Sequence, residues 1–145
     1  MSNKLSKRLA DVVDTLPLKD NIRVLEIGCG PGAMAREISR RIKSGHILAI
    51  DRSAKAIQMA VAGSKKEIET GKLLFRQVAI ENFNLEVNEQ PFDIAVAVRV
   101  GALDGRHPEI EKECLVRIAK SLTKNGKLFI SGESSIKGIL LDEYR

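Results

Sequence analysis

Four short apolar runs, Ile22–Ile27, His46–Ile50, Leu73–Val78 and Phe92–Val98, alternate with segments of helical periodicity. Runs this apolar are strands buried on both faces. Strands of that kind, joined by helical crossovers, form a parallel sheet wound on both sides, since each crossover returns the chain to the same end of the sheet. The helical segments fit that scheme. Leu5, Leu9, Val12, Val13 and Leu16 predict an amphipathic helix that stops before Pro17. Met34, Ile38 and Ile42 put one face of a second helix, Ala33–Ile42, on the sheet. Ser53 is placed to cap a third that runs to about Glu69, where Gly71 breaks it. Ile110, Cys114, Ile118 and Leu122 line a fourth, Glu109–Leu122. Asn125-Gly126 then predicts a turn into a fifth strand, Lys127–Ser131, and the tail from Ser134 to Arg145 is expected to form a short helix.

At 145 residues, with no internal repeat and no linker, the chain is expected to be one domain over residues 1–145. That length supports a core without disulfides or a structural metal. The two cysteines, Cys29 and Cys114, have neither metal-ligand nor disulfide-framework spacing, so no metal is expected and a reduced, cytoplasmic setting is the simplest fit. No stretch has signal-peptide form or approaches the roughly 20 apolar residues of a membrane span. Net charge is +5, but the cations are spread along the chain and there are only four Phe, one Tyr and no Trp. This gives no signal for nucleic acid, which stacks on exposed aromatics.

The first strand ends in Val24-Leu-Glu-Ile-Gly-Cys-Gly-Pro-Gly-Ala33. Glycines at 28, 30 and 32 let the backbone turn sharply and lie close to a ligand at the carboxyl end of the sheet, where such folds bind. One glycine would mean only a tight turn; three beside the acidic Glu26 point to a ligand. Two ligands fit the pattern. Gly28-x-Gly30-x-x-Ala33, with Asp51 beyond, satisfies the dinucleotide fingerprint. Against it, Glu26 would repel a pyrophosphate, whereas it suits a cation such as a sulfonium.

The stretch Val24–Ala33 resembles motif I of the class I S-adenosylmethionine-dependent methyltransferases, an acidic residue followed by Gly-x-Gly-x-Gly. The likeness continues in register. Ile47-Leu-Ala-Ile-Asp51-Arg-Ser resembles the second motif, whose acid holds the ribose hydroxyls. Phe75-Arg-Gln-Val-Ala79-Ile-Glu-Asn-Phe83 resembles the segment flanking the adenine, although Ala79-Ile80 stands where the family usually has Asp-Ala. Pro91–Val98 and Leu122–Ile130 resemble the segments of strands four and five. The resemblance implies a three-layer, Rossmann-like α/β sandwich with an N-terminal helix and a parallel sheet of about five strands in the order 3-2-1-4-5. It implies a methyltransferase that uses S-adenosylmethionine, releases S-adenosylhomocysteine and acts on a small-molecule acceptor; the alternative is a non-catalytic adenosylmethionine-binding or partner-dependent module. The cofactor site it implies is Glu26, Gly28, Cys29, Gly30, Gly32, Asp51, Arg52, Ala79, Ile80 and Arg99.

Family members usually continue past strand five with a helix and two more strands, the last antiparallel. Strand five is therefore expected as an exposed edge, covered by the tail or by a second copy in a homodimer. Acceptor chemistry belongs after strand four, in Arg99-Val-Gly-Ala-Leu-Asp-Gly-Arg-His-Pro108. Asp104 and His107 are the candidate bases there, and Arg99 or Arg106 could hold an anionic acceptor. Position is the only warrant for His107, and no catalytic residue is assigned. His46 opens strand two and lies at the wrong end of the sheet. Glu133 follows strand five, where a surface role is expected. Cys29 is expected to offer its backbone rather than its thiol, and Cys114 to lie in the core.

Overall fold

The computed structural model describes residues 4–131 and 136–145. A six-stranded sheet in the order β3-β2-β1-β4-β5-β6 forms its centre. The strands are β1 (Arg23–Ile27), β2 (His46–Asp51), β3 (Leu73–Gln77), β4 (Phe92–Val98), β5 (Leu122–Ser131) and β6 (Ile136–Leu140). The first five run parallel, and β6 is antiparallel to β5. Helices α1 (Lys7–Thr15), α2 (Ala33–Arg41), α3 (Ala54–Ala62) and α4 (Lys65–Glu69) pack on one face. Helix α5 (Pro108–Ser121) and two single 3-10 turns, Ile80–Asn82 and Asp142–Tyr144, pack on the other. Alternation along β1 serves both layers: Val24 faces the α2 side, while Leu25 and Ile27 face the α5 side. Among the described residues no helix is long and apolar enough to cross a membrane.

Several expectations are corrected. Strand β3, expected to be buried on both faces, is the edge of the sheet and leaves Leu74 exposed, because among the described residues no strand pairs beyond it. The sheet has six strands rather than five, because the tail supplies β6 in place of the expected helix and covers the edge of β5. Phe129 stands opposite Gly138, and a Cβ on Gly138 would lie 3.2 Å from the Phe129 ring, so the glycine gives the aromatic side chain room on the neighbouring strand. The helix expected from Ser53 to Glu69 is two helices. Ser53 caps α3 by accepting from the Ala56 N–H at 3.1 Å. The break comes at Gly63-Ser64, where the fully buried Ser64 hydroxyl turns inward to accept from Arg36 at 2.9 Å. The Asn125-Gly126 turn lies inside β5 as an irregularity: Phe92 pairs with Leu122, but Ile94 pairs with Lys127.

Candidate functional site

Strand β1 lies between β2 and β4, so the chain leaves it in one direction towards β2 and β3, and the later strands add on the other side. The crevice at the carboxyl ends of β1 and β4 is the topological switch point, where ligands bind in open α/β sheets. The glycine loop sits there. Gly28 N–H and Cys29 N–H both donate to the Ile50 carbonyl, at 2.8 and 3.0 Å, tying the loop to β2. Gly30 N–H donates to Asp51 Oδ2 at 2.9 Å, and Gly32 N–H donates to the Cys29 carbonyl at 3.1 Å. Asp51 Oδ1 accepts from Ser53 N–H at 2.9 Å. Asp51 thus clamps the loop with one oxygen and the start of α3 with the other. Gly28 has φ +73°, and a Cβ there would lie 2.8 Å from Val100 Cγ2; Gly30 has φ +53° and open space around its Cβ position.

Beneath the loop Glu26 is buried, and its Oε1 has no hydrogen-bond partner. Burial pushes its carboxyl up to about 8, the nearby Asp51 charge adds to the rise, and the Arg36 guanidinium opposes it. Arg36, also buried, donates through Nη1 to the Pro31 carbonyl and to Ser64 Oγ, both at 2.9 Å. A carboxyl of this kind stays protonated near neutral pH until a cation comes close enough to favour its ionised form.

A cavity of about 320 Å³ opens beside the loop, within the size range of small-ligand sites. Ile27, Ile50, Val78 and Ile80 give it apolar walls, and Asp51, Arg52, Glu81, Arg99, Arg106 and His107 give it polar groups. Six of the ten residues expected to form the cofactor site line it: Gly28, Asp51, Arg52, Ala79, Ile80 and Arg99. Glu26, Cys29, Gly30 and Gly32 instead form the structure that supports its rim. Both backbone groups of Cys29 are engaged in the turn rather than presented to the cavity. Its buried thiol is raised well above the ordinary thiol range, chiefly by burial. Cys114 lies in the core as expected, with its thiol pushed up to about 11 by burial. His46 pairs with Arg23 at the opposite end of the sheet. Glu133 lies outside the described residues.

After β4 the chain turns at Arg99, which holds φ +55° without being glycine. Arg99 N–H donates to the Ser131 carbonyl at 3.1 Å, and its own carbonyl accepts from Arg106 Nη2 at 2.6 Å. Arg106 also grips Asp104, its Nε lying 3.0 Å from each carboxylate oxygen. These bonds hold the Asp104 carboxyl below its usual range, which makes it a poor base. His107 lines the cavity, with Nδ1 3.3 Å from Glu109. The importance of Arg36 was not apparent from sequence. It is a charged residue on the core-facing side of α2, recognisable only once Pro31 and Ser64 are brought around it.

The family described as "Methyltransferase domain" matches residues 18–143. The chain is 26% identical over 117 residues to YrhH of Bacillus subtilis (strain 168), a protein with a provisional methyltransferase name; the match covers 71% of this chain and 65% of that one. Among solved structures, it resembles an S-adenosylmethionine-dependent methyltransferase from Thiobacillus denitrificans in complex with S-adenosylhomocysteine. The TM-score is 0.67 at 20% identity, over 89% of this chain and 49% of that one. It also resembles the cyclase SpnF, with a TM-score of 0.68 at 23% identity, over 85% and 43%. The chain therefore spans less than two thirds of the length of these relatives. The two structures establish shared fold, and a cyclase among them illustrates that one fold serves more than one reaction.

Proposed function

The chain belongs to the methyltransferase-domain family, and from that premise we propose that it transfers a methyl group from S-adenosylmethionine to a small-molecule acceptor. The observation that carries the reading is the buried Glu26 carboxyl, with an unpartnered oxygen, beneath a glycine loop whose N–H groups are already committed. A pyrophosphate needs free backbone N–H groups to cradle it. Here Gly28, Cys29, Gly30 and Gly32 all donate within the protein, and Pro31 has no N–H to give. A ligand with a cationic end suits Glu26 instead, and this favours S-adenosylmethionine over a dinucleotide.

The residues present fit that cofactor. Asp51 uses one acceptor site on each oxygen for the backbone and retains others for two vicinal hydroxyls. Val78 and Ile80 offer apolar walls for a flat base, with the Ala79 backbone and Glu81 beside them. Gly28 keeps the rim free of a side chain. When bound, the cofactor supplies an electrophilic methyl group on a sulfonium. The protein's part is then to align an acceptor in the region of Arg99–His107 and to keep water out.

Isothermal titration with S-adenosylmethionine and S-adenosylhomocysteine tests this reading. Binding of both is expected, and Asp51→Ala should weaken it by about 1–3 kcal/mol through lost bonds to the hydroxyls and a loosened loop. No heat with either compound on folded protein would overturn the reading.

A further inference from the structure

We infer that the acceptor side of the cavity takes a substrate bearing an oxyanion, a carboxylate or a phosphate, held by the Arg99 guanidinium. The inference rests on the proposed function for which molecule is methylated, but the anion site stands on its own geometry. The cavity is lined by Arg52, Arg99, Arg106 and His107 against the carboxylates of Asp51 and Glu81. Apart from Arg52, which directly follows Asp51, these charges are segregated. Asp51 lies at the end of β2 and Glu81 in the 3-10 turn after β3, whereas Arg99, Arg106 and His107 all belong to the segment between β4 and α5. Asp104, the acid within that segment, is turned onto Arg106 and does not line the cavity. Glu109 faces His107, and Glu111 lies in the same first turn of α5.

The two arginines differ in what they are free to do. Arg106 is engaged by Asp104 and by the Arg99 carbonyl, so it positions the loop. The Arg99 side chain makes no hydrogen bond or ion pair among the described residues. It is exposed, lines the cavity, and is held in a left-handed backbone conformation that a non-glycine residue rarely adopts. A planar, permanently charged fork lining the cavity with its donors unused matches two oxygens of a carboxylate or phosphate. Strain of this kind concentrates at sites that bind.

The test is an amide and arginine-Nε NMR titration of the isotopically labelled chain, free and with saturating S-adenosylhomocysteine. The probes are benzoate and methyl phosphate, with benzamide as the neutral control. Saturable shifts centred on residues 98–107 are expected for the two anions and not for benzamide. Arg99→Gln should weaken them about tenfold or more, with Arg99→Lys in between. Arg99→Gly, which suits the backbone angle, gives the same loss in a chain that retains the loop. The proposal fails if benzamide acts like benzoate, if the shifts are absent or scattered over the basic surface, or if Arg99→Gln leaves them unchanged. If S-adenosylhomocysteine does not bind, the methyltransferase reading fails, while the anion titration on the free chain still decides the site.

Discussion

Replacing Glu26 with Gln isolates the buried carboxyl beneath the glycine loop. The substitution keeps shape and polarity but removes titration. In the folded chain the carboxyl ionises at about 8 instead of its ordinary 4.5. Its pKa is raised, so between those values the folded chain holds a proton that the unfolded chain has released. Stability therefore falls as pH rises through this window, by about 1.4 kcal/mol per pH unit. Across the whole window the loss is on the order of 4–5 kcal/mol, and above it this contribution is flat. His46 works in the opposite direction at lower pH, because burial lowers its pKa, but it is common to both proteins and cancels in the difference. Urea unfolding of the wild type and Glu26→Gln at several pH values spanning the window measures that difference. The two should be close in stability at the acidic end, and the Gln variant should gain steadily towards the alkaline end. Parallel pH profiles would refute the reasoning, because they would mean that Glu26 ionises normally and is already compensated. The same proton links to binding. A cationic ligand beside Glu26 requires the carboxylate, so wild-type affinity for S-adenosylmethionine, which carries the sulfonium, should rise with pH towards about 8, and Glu26→Gln should abolish that rise.

The glycine loop and the cysteines give two further expectations. Gly28→Ala should destabilise by about 2–3 kcal/mol, from backbone strain and overlap with Val100, whereas Gly30→Ala should cost only about 1 kcal/mol, from strain in open space. Equal losses in urea unfolding would contradict this difference. Cys29 and Cys114 are buried with raised thiol pKa values, so a thiol reagent at mildly alkaline pH should label the native chain far more slowly than the urea-unfolded one. Rapid labelling of both thiols in the native chain would show that they are accessible.

What the sequence revealed of the fold was whatever local pattern determines. Strands β1, β2 and β4 are largely apolar runs, so their burial on both faces and their parallel order could be read directly, whereas β3 lies at the sheet edge and leaves Leu74 exposed. Strand β6 could not. Ile136-Lys-Gly-Ile-Leu140 neither alternates cleanly nor carries a turn signal, and its conformation comes from pairing with the edge of β5. Strand preference of that kind is a property of the neighbour, such as the Phe129 ring opposite Gly138, more than of the segment. The split between α3 and α4 has the same origin. Gly63 weakens the helix, but the buried bond from Arg36 to Ser64 joins residues far apart in sequence.

At the site, residue types and spacing singled out Glu26 and Asp51, but they could not say how the two acids differ. Two carboxyls this close would not both be equally at ease as charges. Asp51 is given two backbone N–H donors, from Gly30 and Ser53, which suit a fixed carboxylate. Glu26 receives burial and an unpartnered oxygen, and Asp51's charge raises its pKa further. The hydrogen bond from Gly30 therefore does more than shape the loop. It anchors one negative charge at the cavity, and that charge adds to the burial that keeps the second acid neutral. The glycine motif alone fits a dinucleotide or S-adenosylmethionine. What supports the proposed second reading is where the loop's N–H groups point: inward, to Ile50, Cys29 and Asp51, with a buried carboxyl rather than a set of free donors beneath the loop.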